Sequence, residues 1–225
     1  MDEGVAWRSG ARYLEYTIKD GNIVGVSMGS TLFEVVSHVV HPAAQKVTFV
    51  PLVGGVGRVR MELHANSLAE SLSRIYDGKF VPLHAPARVS SRNIRDELLK
   101  EDSLLPAIYL TQKLDIAVVG IGYPNEKSAI MATGYFKENE IESLIDRKVA
   151  GELCMQFYDI YGDTAPYKDD NNVIGMDISM LRSVPRSIGI AGGVEKLRAV
   201  RGAINGHYIN TLITDIECAE ALISE

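Results

Sequence analysis

The sequence predicts an α/β fold: a mostly parallel sheet with helices on both faces. Two observations carry this reading. Four short apolar runs, IVGVSMGST (23–31), VTFVPLVGGVG (47–57), LDIAVVGIG (114–122) and SIGIAGGVEK (187–196), each end in glycine and then turn polar or helical. Between them, strand-like and helix-like segments alternate, as in βαβ units.

Each element has its own signal. MDEGVAWRSGARYLEY begins as an amphipathic helix with Val5, Trp7, Ala11 and Leu14 near one face. Strand 23–27 follows, then helix 31–40, stopped by Pro42. Strand 47–52 leads to helix 62–76, which carries Leu63, Leu68 and Leu72. Phe80 to Leu83 reads as a short strand, and 91–100 and 103–113 read as helices, with 85–112 a candidate inserted subdomain. Strand 115–120, a loop containing YPNEKS (123–128) and helix 138–146 come next. LCMQFYDIYGD (153–163) reads as one strand and a turn, followed by the polar loop 168–172 and a short helix at 177–182. Strand 184–190, helix 193–204, strand 208–214 and helix 215–223 complete one domain over residues 1–225.

Composition narrows the function. Hydrophobic residues make up 46% and charged residues 23% of the 225, ordinary values for a packed domain. A formal charge of −6 argues against gripping nucleic acid through a basic surface. The two cysteines, Cys154 and Cys218, form neither a metal-ligand spacing nor a disulfide framework, which fits a reducing cytoplasm. No run approaches the roughly 18 apolar residues that a membrane span needs, and the first residues lack the pattern of a signal peptide.

The chemistry concentrates at the glycine-ended strands, where open parallel sheets bind ligands. In Met28–Thr31, Gly29 is followed by the hydroxyls of Ser30 and Thr31 at a helix start, which suits an anion. The same residues also serve as helix caps, and both roles stay open. Gly54 and Gly55 make a tight strand end, with Arg58 or Arg60 as nearby cations; the spacing here does not match a dinucleotide fingerprint, and Met28–Thr31 is not a Walker loop. His64 is equally a sugar contact or a structural histidine. Gly192 and Gly193 precede Lys196, a cation in a first helical turn, where the macrodipole disfavours it unless an anion binds. Asp159 ends a strand and is either a hydroxyl acceptor or a turn residue. Asp115 opens a strand and belongs at the opposite sheet edge. His38 and His41 have no completing ligands, so no metal is expected. There is no nucleophile elbow and no Cys–His pair with family-like flanks, and no cofactor is expected.

Taken in order, VGVSMGST, LVGGVG, HANSLAESL, VPLHAPARVSS, IAVVGIG, GYFKENEIESL, VAGELCMQFYDIYGD and AGGVEKLRAVRGAINGHYINTLITD resemble the effector-binding domain of SorC/DeoR-type bacterial transcriptional regulators. The resemblance runs from about residue 10 to 223. It implies a Rossmann-like sheet similar to that of the sugar-phosphate isomerases and deaminases, typified by glucosamine-6-phosphate deaminase. It further implies a phosphorylated sugar as ligand, assembly into dimers or tetramers, and operator DNA contacted only through a helix-turn-helix domain that this chain does not carry. By the same resemblance, Gly29, Ser30, Thr31 and Lys196 match phosphate-binding elements and Gly54 and Gly55 the glycine turn beside the ligand. His64 matches a polar sugar contact and Asp159 a carboxylate facing hydroxyls. Val53 departs from relatives with a basic residue before the glycine pair, which leaves Lys196 as the leading cation and excludes a Schiff base at 53. Two other readings stand beside the sensor: an isomerase or deaminase with Asp159, Glu62 and His64 as its acid–base candidates, and a purely structural oligomerisation module.

Overall fold

The computed structural model describes residues 3–224 except 41, 58–59 and 125–132, with backbone alone for 3–6. The expectations placed on Val5's side chain, His41, Arg58 and the 125–128 part of the loop lie outside the described residues.

Six parallel strands form one sheet: β1 (Ile23–Val26), β2 (Thr48–Pro51), β3 (Lys79–Phe80), β4 (Ile116–Gly120), β7 (Arg186–Ile190) and β8 (Thr211–Ile213). Their order across the sheet is β3-β2-β1-β4-β7-β8. Burial on both faces explains why β1, β2, β4 and β7 read as continuous apolar runs. Residues of alternating parity divide between two cores. Val24, Val26, Phe49, Ile116, Val118, Ile188 and Ile190 face one. Val50, Leu52, Ala117 and Val119 face the other.

The first core is covered by α1 (Glu3–Thr17), α2 (Ser30–Ser37) and α3 (Ala65–Ile75). Their buried stripes are Trp7, Ala11 and Leu14; Leu32, Val35 and Val36; and Leu68, Ala69 and Leu72. The expected helix 62–76 is broken at His64, whose extended ψ of 143° separates a single 3-10 turn, Met61–Leu63, from α3.

The second core is covered by α4 (Arg92–Leu98), α5 (Leu105–Thr111), α7 (Leu197–Asn205) and α8 (Ile216–Ser224). Leu104 and Ala107 are buried in it, and Leu98, Leu99, Ile108 and Leu110 pack against it. Segment 85–112, expected as an inserted subdomain, is therefore part of this helical layer, because its apolar residues have no core of their own.

Beyond the strand ends lies a third apolar cluster that includes Val53, Val56, Phe136, Ile141, Leu144, Met155, Phe157 and Tyr167. Here α6 (Glu138–Asp146) packs beside a two-stranded antiparallel hairpin, β5 (Gly151–Leu153) and β6 (Gln156–Tyr158). The segment 153–158, expected as one strand, thus reverses at Cys154–Met155. Both of these residues take left-handed backbone conformations, φ 51° and 62°, the geometry that two-residue hairpin turns demand.

Candidate functional site

The strand order fixes where a cleft forms. From β1 the chain winds outward through β2 and β3, then returns to β4 on the other side of β1. The connections leaving β1 and β4 diverge, and the crevice between them is the ligand position of doubly wound sheets. It encloses about 330 Å³ of empty space, part of it open to solvent. Ser27, Met28 and Gly29 line it from the end of β1 and Gly120 from the end of β4. Thr133, Glu152, Cys154 and Met155 close it from the hairpin side.

Hydrogen bonds from both backbone and side chain shape this mouth. Ser27 Oγ accepts the Gly120 N–H at 3.1 Å, tying the two strand ends together. Gly29 has a φ of 123°, and the position of a β-carbon there meets nothing within 4 Å. Its N–H donates to Leu63 O at 3.0 Å and its carbonyl accepts the Phe33 N–H at 3.0 Å. No side chain caps α2 and no acidic residue occupies its first turn. Helix starts carry unpaired amides and partial positive charge, so α2 presents Ser30 and Thr31 beside the cleft in the form that an anion needs.

The opposite wall is acidic. Glu152 pairs with Gly122 across a short bridge, Gly122 N–H to Glu152 O at 3.0 Å and Glu152 N–H to Gly122 O at 2.8 Å. Its carboxylate Oε2 accepts the Met155 N–H at 2.8 Å, which pins the left-handed turn. Burial pushes the Glu152 carboxyl up to about 7, against the Met155 N–H and the Lys196 charge, both of which favour ionisation. Burial also pushes the Cys154 thiol well up, and Glu152 adds to this, so the thiol is not a nucleophile at neutral pH.

Lys196 ends the single 3-10 turn Val194–Lys196 and donates its N–H to Gly193 O at 3.1 Å. Gly193, with φ 93°, is the residue before that turn. The Gly193 N–H is already taken by Asp215 Oδ2 at 2.5 Å. Asp215, at the start of α8, also accepts the Cys218 N–H at 2.8 Å. This pair removes one of the amides that the sequence offered to an anion.

The remaining predicted residues have other surroundings. Gly54 is sealed against the 85–86 backbone: a β-carbon would stand 2.5 Å from Ala85 O. Gly55 exchanges main-chain bonds with Ala85 and Ala87, both at 2.8 Å, and its carbonyl accepts Tyr135 Oη–H at 3.0 Å. Val53 is buried in the third cluster, so the position that departs from the family pattern is core. His64 directly follows Leu63, the partner of Gly29, and donates its N–H to Met61 O at 3.1 Å.

Asp159 is placed away from the strand ends. Its Oδ1 accepts the N–H groups of Tyr161 at 2.9 Å and Asp163 at 2.8 Å. Its carbonyl lies 2.6 Å from where a β-carbon of Gly202 would be, near the C-terminal end of α7. Because α7 starts at the end of β7 and runs back, that end is at the far edge of the sheet. Asp115 is at this edge too, accepting the Ile23 N–H at 2.8 Å. The carboxylate that faces the cleft is Glu152, not Asp159. The signal for it was an acidic residue inside the otherwise apolar AGELCM.

Among the described residues no cluster of His, Cys, Asp and Glu could hold a metal ion, and no helix is long and apolar enough to cross a membrane.

The family "Putative sugar-binding domain" (Sugar-bind) matches residues 4–224. The deoxyribonucleoside regulator of Bacillus subtilis (strain 168) is 28% identical over 220 residues, 97% of this chain and 69% of that protein. The sorbitol operon regulator of Klebsiella pneumoniae is 29% identical over 216 residues, 95% of this chain and 69% of that protein. The crystal structure of full-length SorC from Klebsiella pneumoniae superposes with a TM-score of 0.90 at 29% identity, covering 99% of this chain and 73% of that one. A transcriptional regulator from Streptococcus pneumoniae TIGR4 superposes with a TM-score of 0.91 at 25% identity, covering 99% of this chain and 85% of that one. With the family model matching nearly the whole chain and the fold shared with these regulators, the chain is a member of the sugar-binding domain family of SorC/DeoR-type transcriptional regulators.

Proposed function

We propose that the chain binds a phosphorylated sugar or sugar alcohol in the β1–β4 cleft, and that binding sets its assembly with further copies. DNA would be contacted by a separate domain of the whole regulator, in the cytoplasm. The observation that carries this reading is the polarity of the cleft. Gly29, on one wall, leads straight into an uncapped helix start with two hydroxyls, and the other wall carries a carboxyl whose ionisation the Lys196 charge favours. A phosphate suits the α2 start and Lys196, and sugar hydroxyls suit Glu152, an acceptor when ionised and also a donor when protonated.

Calorimetry against sugar phosphates, the matching free sugars and inorganic phosphate tests this. Binding that requires both the phosphate and the hydroxyls supports it; silence across the panel overturns it.

One observation favours a second reading, a sugar-phosphate isomerase or deaminase. A carboxyl titrating near 7 in a cleft has the property of a general base. Against it, among the described residues the other titratable group lining the cleft is Cys154, held protonated by burial, and the relatives are named as regulators. Turnover of a sugar phosphate that Glu152→Gln abolishes would establish the enzyme instead.

A further inference from the structure

Helix α1 touches both of the elements from which the proposed anion site is built, α2 and the turn that leads to Lys196. At Gly10 it lies against α2 and β8: a β-carbon there would stand 3.2 Å from Val35 Cγ2 and 3.6 Å from Ile213 Cγ2. Nearly one turn earlier, Trp7 reaches the end of β7. It is buried, and it is the single tryptophan of the chain. The position of a β-carbon on Gly192 is 3.0 Å from Trp7 Cη2 and 3.0 Å from Asp215 Oδ2. The indole and the carboxylate thus converge on the space that glycine leaves empty. Asp215 fixes the next residue through the Gly193 N–H, and Gly193 O accepts the Lys196 N–H. A continuous set of contacts therefore runs from α1 through Trp7 to the backbone that carries Lys196.

We propose that Trp7 is a positioning residue of the ligand site, bracing the Gly192–Lys196 turn and registering in helix α1 whether the cleft is occupied. The proposal rests on the reading of Lys196 and the α2 start as the anion contact. A ligand held by both draws together two elements that α1 spans. Close-packed interiors pass on such displacements rather than absorbing them. Below Trp7, α1 is seated by Ala11 and Leu14 in the same core as Val35, so a shift at either contact reaches the helix. The size of the response is bounded by the difference in ligand affinity between the two arrangements.

The test uses Trp7 as its own reporter, with hydrogen exchange of α1 as the second readout. Without ligand, Gly192→Ala forces a methyl group between the indole and Asp215. The expected result is a shift in Trp7 emission and faster exchange of the α1 amides, while β1 and β4 keep their protection. A folded Gly192→Ala protein with unchanged emission and unchanged α1 exchange overturns the proposal. Should that variant not fold, Trp7→Phe decides in its place: weakened protection of the Gly193 and Lys196 amides supports the bracing role, and unaltered protection overturns it. With glucose 6-phosphate, calorimetry reports binding independently of fluorescence. Binding accompanied by an emission change supports the proposal, and binding with silent Trp7 and silent α1 overturns it. No binding by any sugar phosphate defeats the ligand reading, while the ligand-free arm still decides the role of Trp7.

Discussion

The carboxylate of Glu152 stands where a β-carbon of Gly122 would be. Glycine two residues past the end of β4 therefore makes room for a side chain from the hairpin, and its backbone conformation does not call for glycine. Gly122→Ala must push the Glu152 carboxylate away or part the two-residue bridge. Overpacking of this kind costs about 1–3 kcal/mol. We expect a lower denaturation midpoint and weaker binding of sugar phosphate, with affinity for inorganic phosphate unchanged because the α2 start is untouched. Equal losses for both ligands would show that Glu152 does not select the sugar.

Glu152 also gives stability an unusual pH dependence. Burial raises its carboxyl to about 7 from the ordinary 4.5, so the folded state holds a proton that the unfolded chain has lost. Stability is then fully favoured below about 4.5, declines as pH rises toward 7 and levels off above it. Between those limits the loss is about 1.4 kcal/mol for each step of one in pH. Glu152→Gln keeps an acceptor for the Met155 N–H and removes the titration. Denaturation followed from about pH 5 to about pH 8, a range that brackets the titration, should show a flatter profile for the variant and greater stability than the parent at the alkaline end. Parallel profiles would mean that solvent reaches the carboxyl.

Lys196 opposes the upward push of burial, since its charge favours the ionised carboxyl. Lys196→Met should raise the Glu152 titration further, visible in the carboxyl carbon resonance of labelled protein. In the ligand reading it should also weaken sugar-phosphate binding by about ten- to a hundredfold, the range for one hydrogen bond to a charged group at roughly 1.5–3 kcal/mol. An unchanged affinity would move the anion to the α2 start alone.

The parts of this site that sequence discloses are those made by short-range rules. A strand that ends in glycine and meets a helix needs no distant partner to be recognised, so Gly29 at the cleft was legible, as was the Trp7–Ala11–Leu14 stripe. The hairpin was hidden because neither Cys154 nor Met155 is a usual residue of a left-handed turn. They adopt it because Cys154 and Met155 are buried in two different apolar clusters and Glu152 holds the Met155 N–H. Glu152 itself was hidden because its place depends on Gly122, which local pattern cannot connect to it. Asp159 follows its strand, and the turn it organises takes up its Oδ1.

Two aspartates separate these cases by experiment. Asp159 accepts two amides of its own turn, so Asp159→Ala should cost about 1–2 kcal/mol and leave ligand affinity intact. Asp215 accepts one amide from its own helix and one from the Gly193 turn. Burial works against its ionisation, yet the amides of Cys218 and Gly193 outweigh this and hold its carboxyl below the ordinary aspartate range. Its contribution therefore persists above that range and disappears as pH falls through its lowered value. Asp215→Ala should lose about 0.5–2 kcal/mol as a helix cap and, unlike Asp159→Ala, alter sugar-phosphate affinity, because it releases the turn that sets Lys196. Denaturant midpoints paired with calorimetry on both variants check this. If Asp159→Ala is the one that changes affinity, the ligand lies at the other edge of the sheet and the cleft assignment fails.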